Sequence, residues 1–144
     1  MDTKKYPVVE RAVKWLIIML LAEFVLGTLL TTVINFTPGK HSAMQDTVLI
    51  AHIVLGVALI VGSLAHIFTS RSSHLLGIKP VLGFLLIIGA FASGSEATKN
   101  GNSLAVLIMA LCFGAAIVTY GLSYVCVRAA AKLNEAKENE SIQK

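Results

Sequence analysis

Residues 51–66 read AHIVLGVALIVGSLAH. Apart from His52, Ser63 and His66, the stretch holds only alanine, glycine and branched aliphatics. It lies within an apolar run over 47–69, and about 20 such residues cross ~30 Å of hydrocarbon as a helix. Further apolar runs cover 13–36, 80–95 and 103–127. The run over 80–95 is the shortest, and it spans if its small polar end reaches the interface. Composition agrees, with 56% hydrophobic and 14% charged residues among 144 and a mean hydropathy of +0.77. Such values belong to polytopic membrane proteins. Open sheet edges are not tolerated in lipid, so the expected fold is all-α. It is an integral membrane four-helix bundle over 1–130, followed by a polar cytoplasmic tail over 131–144.

The net charge of +4 does not indicate a nucleic-acid partner, because the basic residues sort by loop. Lys4, Lys5, Arg11 and Lys14 lie before or at the very start of the first run, Arg71 and Lys79 separate the second from the third, and Arg128, Lys132, Lys137 and Lys144 follow the fourth. Only Lys40 and Lys99 fall in the other loops. Positive residues are retained on the cytoplasmic side. Both termini and the middle loop are therefore expected there, most simply at the plasma membrane of a prokaryote. No cleavable signal peptide is expected, since the first run ends in NFTPGKH without a small-residue cleavage pattern. Cys112 and Cys126 share one run, fourteen residues apart, too far along one helix for a disulfide.

The two histidines need an explanation, because polar side chains inside a span face protein or water rather than lipid. They are fourteen residues apart. On a helix that step turns roughly 1400°, leaving the rings within about 40° of one face and roughly 21 Å apart along the axis. His52 then sits towards the outer side and His66 near the cytoplasmic boundary. Two imidazoles on one stripe could serve as axial ligands to one or two b-type haems, with Gly56 and Gly62 leaving room for a planar group. Each histidine also has a plain reading as a hydrogen-bonded packing residue. No histidine lies in the fourth run, but Met109 stands at about the depth of His52, and a thioether can be the sixth ligand to haem iron. Met19, His41 and His74 are further candidates, and a homodimer would offer four imidazoles at two depths.

The order LLAEFVLGTLLTTVINF, an outer loop, and TVLIAHIVLGVALIVG resembles one four-helix half of the heme A synthase family. The resemblance implies an axial histidine at His52 with Gly56 as its packing partner. Ile53 stands where that family has an arginine, and Ile108 and Met109 stand near the place of its helix 4 histidine. The oxygenation activity is not implied. The spacing of His52 and His66 also resembles the haem-bearing helices of cytochrome b proteins. These likenesses imply an electron-transfer or haem-handling protein rather than a catalyst, with quinol or a redox protein as partner.

Glu23, in LLAEFVLGTLL, offers a different reading. Burial disfavours a charged carboxylate, so a lone one in lipid keeps its proton, which is the property a proton-coupled carrier uses. The segment resembles helix 1 of the small multidrug resistance transporters, although the aromatic residues expected around a lipophilic cation are few, with Phe84 and Phe91 in the third run. Glu23 could instead bond within the bundle to Ser63, Thr119, Tyr120 or a ligating imidazole. A depth count from the ends of the apolar runs places His52 too far out to be that partner. A further reading is an accessory membrane subunit without chemistry of its own. No phosphate-binding loop, nucleophile–base arrangement or structural-zinc spacing is present.

Overall fold

The computed structural model describes residues 6–29, 43–71, 76–100 and 102–142. They form four helices: α1 (Tyr6–Thr28), α2 (Ala43–Ser70), α3 (Lys79–Asn100) and α4 (Ser103–Ile142). Local chemistry sets several of the ends. Pro80 occupies the first turn of α3, where a missing N–H costs nothing. Gly77 takes a positive φ of 52° in the turn before it. Asn102 caps α4, its Oδ1 accepting from the Leu104 N–H at 3.0 Å.

The helices form a closed ring. α3 and α4 pack most extensively, α1 contacts both α4 and α2, and α2 completes the ring against α3. Contacts at glycines give the directions. Going up α1 from Leu16 to Glu23, the α2 partners fall from Gly62 to Gly56, so the two are antiparallel. Along α3, Gly83, Gly89 and Gly94 meet Tyr120, Cys112 and Met109 of α4 in reverse order. Inward positions recur at steps of three and four: Val9, Val13, Leu16, Leu20 and Glu23 on α1, and Gly56, Leu59, Ser63, His66 and Ser70 on α2. That seam is the one antiparallel bundles use.

Polarity is inverted relative to a water-soluble bundle. The buried set includes Glu23, Ser63, His66, Ser70, Thr119 and Ser123, while Val54, Val61, Leu85, Leu111, Val118 and Val125 are exposed. Three helical segments, Asp46–Ser70, Lys79–Ala97 and Ser103–Lys137, are long and apolar enough to cross a membrane. Only 17% of the apolar window in the first is buried by protein, so most of its aliphatic surface needs an apolar solvent, consistent with a membrane protein.

Helix limits differ from the apolar runs in explicable ways. α1 starts at Tyr6, not near 13, because Val9 and Val13 extend the inward stripe while Arg11 and Lys14 point outwards. As described it carries Arg11, Lys14 and Glu23, and the rest of its apolar run, 30–36, lies outside the described residues, as do His41 and His74. α3 continues past 95 to Asn100. The polar tail is no separate element, since α4 runs unbroken through it to Ile142. At 40 residues α4 is about 60 Å long, twice the ~30 Å hydrocarbon thickness.

Candidate functional site

A carboxylate–imidazole contact joins α1 to α2. Glu23 is 2% exposed, and its Oε1 lies 3.1 Å from Nδ1 of His52, whose side chain is 15% exposed. The approach lies off the direction of an aligned hydrogen bond, and Glu23 Oε2 has no hydrogen-bond partner among the described residues. Buried polar atoms are almost always bonded, so the unpartnered carboxylate oxygen calls for an explanation.

Two glycines make the contact. A β-carbon on Gly56 would stand 3.1 Å from Glu23 Oε1 and 3.3 Å from the Phe91 ring. One on Gly27 would stand 3.4 Å from His52 Cε1 and 3.7 Å from Met109 Cε. Glu23 and Gly27 are one helical turn apart on α1, as are His52 and Gly56 on α2. Each ionisable side chain thus lies over the glycine of the opposite helix. α3 adds Phe91 and Gly94, where a β-carbon would meet Met109 Sδ at 3.0 Å. All four helices therefore contribute to this centre.

The pairing corrects the depth count, which excluded His52 as a partner of Glu23. α2 begins at Ala43, a full turn before the apolar run, so hydropathy limits do not mark a common plane. Sequence reasoning also missed Gly27 and Gly94, and it weighed Phe91 only as one of the few aromatics available to a lipophilic cation. The signal for Gly27 was present, in the matching spacings Glu23-x-x-x-Gly27 and His52-x-x-x-Gly56 on adjacent helices.

His66 belongs to a second cluster. It is 1% exposed, its Nδ1 lies 3.2 Å from Ser70 Oγ, and its ring centre is 5.8 Å from that of Tyr120. Tyr120 is fully buried, pressed so close to α3 that a β-carbon on Gly83 would fall 2.7 Å from its ring. Ser63 faces the Tyr120 hydroxyl without completing a hydrogen bond to it; its own proton goes to the Ile60 carbonyl at 2.9 Å. Of the suggested partners of Glu23, Ser63, Thr119 and Tyr120 lie on this lower level: Thr119 Oγ1 donates to the Ala115 carbonyl at 2.8 Å.

A haem needs a planar slot beside its axial ligand. The space over Gly56 is taken by Glu23 and Phe91, and that over Gly62 by Leu16 Cδ2 at 3.3 Å. Met109 is 8% exposed and packed on Gly94. In this packing the residues do not fit a porphyrin. Among the described residues no group of three or more His, Cys, Asp or Glu side chains could hold a metal ion. Cys112 and Cys126 are free, and Lys79 Nζ donates to Cys126 Sγ at 3.2 Å at the lower end of the bundle.

Fold and site together define the class, a helical bundle of membrane-protein character with a carboxylate–imidazole pair buried between its first two helices. No family model matches the chain, and no curated protein or solved structure shows significant similarity to it.

Proposed function

We propose that the chain is an integral membrane protein with cytoplasmic termini that acts as a proton-coupled cation carrier, with Glu23 and His52 as its working pair. The supporting observation is the buried 3.1 Å contact together with the unpartnered Oε2. An isolated charge in an apolar interior is very costly, so the resting pair is neutral overall and holds one shared proton. That proton sits on Glu23 or on His52, and the 3.1 Å approach of Nδ1 to Oε1 is off the line of a hydrogen bond between them. Loss of the proton leaves a bare carboxylate, which is tolerated only when another positive charge takes its place. Cation binding beside Oε2 therefore requires proton release, and proton return expels the cation. Intramembrane ionisable groups commonly mark such pathways.

The test uses purified protein in weakly buffered detergent with a pH indicator. Addition of tetraphenylphosphonium or sodium should release protons, and Glu23→Gln should abolish the release. Absence of any release dependent on Glu23 with either probe refutes the proposal.

A second reading, haem binding, is favoured by one observation. A carboxylate on Nδ1 is the arrangement that fixes the tautomer of a ligating imidazole. It requires Glu23, Phe91 and Leu16 to vacate the glycine spaces. A Soret band in the purified protein that disappears in His52→Ala would establish it in place of the carrier.

A further inference from the structure

The inward stripe of α2 does not end at His52. It continues through Gly56 and Leu59 to Ser63, His66 and Ser70, all three of the latter buried. Tyr120 of α4 adds a fully buried hydroxyl with no hydrogen-bond partner among the described residues. These groups form a polar column from the Arg71 end of the bundle towards the Glu23–His52 pair. Between column and pair lie Leu20 and Leu59, both fully buried. The α1–α2 register places them there, because Leu16 meets Gly62 and Glu23 meets Gly56. From Ser63 to Gly56 the helical rise is about 10 Å, a gap that two or three water molecules would bridge only once the two leucines move apart.

We propose that Ser70, His66, Tyr120 and Ser63 form the cytoplasmic half of a proton path to the Glu23–His52 pair, with Leu20 and Leu59 as its closed gate. The path rests on the carrier reading and adds the route by which its proton leaves. Each group takes a proton on one side and gives one on the other, so the chain ends unchanged apart from rotated hydroxyls and a switched imidazole tautomer. Both ring nitrogens of His66 lie near the same Ser70 hydroxyl, at 3.2 and 3.4 Å, so passing a proton on to Tyr120, whose ring centre is 5.8 Å away, requires the imidazole to turn. The titratable side chains facing the route are Glu23 from α1, His52 and His66 from α2, and Tyr120 from α4. Lys79 of α3 stands at its lower end, on Cys126.

The test is stopped-flow proton release on adding whichever probe cation releases protons from the wild type. Tyr120→Phe keeps the ring that fills the space at Gly83 and removes only the hydroxyl. Its release should be slower by about tenfold, the rate equivalent of one lost hydrogen bond, with unchanged amplitude. His66→Gln should slow release likewise, and Leu59→Ala should accelerate it by opening the gate. A purely structural role would change the amount released or the folded yield, not the rate at constant amplitude. Wild-type rates in both Tyr120→Phe and His66→Gln overturn the path while leaving the carrier standing. Absence of release dependent on Glu23 in the wild type overturns the carrier, and the path with it.

Discussion

The contact between Glu23 and His52 can be weighed directly by a double-mutant cycle. Glu23→Leu and His52→Leu each remove one polar group at modest change of volume, and the double variant removes both. If the two groups formed a full ion pair, the 3.1 Å separation gives about 5 kcal/mol at an effective dielectric of about 20. If they share one proton as neutral partners, the coupling falls to the range found for polar contacts between membrane helices, about 0.6 to 1.7 kcal/mol. The off-axis approach of Nδ1 favours the lower range. Each single variant should be less stable than the double one, because it leaves one buried polar group without its partner. The assay is equilibrium unfolding of the four proteins in mixed micelles, monitored by circular dichroism. Coupling indistinguishable from zero, or a double variant less stable than both singles, would refute the pairing. A coupling near the upper figure would keep the pair and place its proton on the imidazole, as a carboxylate–imidazolium pair.

Two other tests address the frame around the site. Gly83→Ala places a methyl 2.7 Å from the rigid Tyr120 ring and should destabilise by about 1–3 kcal/mol. Gly114→Ala meets nothing within 4 Å, and gains up to about 1 kcal/mol from helix propensity, so equal losses in the two variants would contradict the α3–α4 packing. Orientation is tested in a background with Cys112 and Cys126 replaced by alanine. A cysteine at Ala136 should react with a membrane-impermeant maleimide only in inside-out vesicles, and one at Asn102 only in right-side-out ones. The opposite pattern reverses the orientation.

Sequence alone was sufficient for the architecture. A helix satisfies its own backbone hydrogen bonds, so four apolar runs point to a bundle of four helices, which is the fold observed. Helix limits were less legible, since α1 and α4 extend through polar residues that hydropathy excludes but the helix tolerates on its outer face. The two key residues stood out because ionisable groups in apolar segments are costly, yet they were assigned to different depths and rival functions. Only tertiary structure brought Glu23 over Gly56 and His52 over Gly27. The register of two antiparallel helices depends on which side chains fill which glycine spaces, and counting from the ends of hydrophobic runs does not contain that information. The same packing decided that the room over Gly56 and Gly62, open in the sequence to a planar cofactor, is filled by the side chains of Glu23, Phe91 and Leu16.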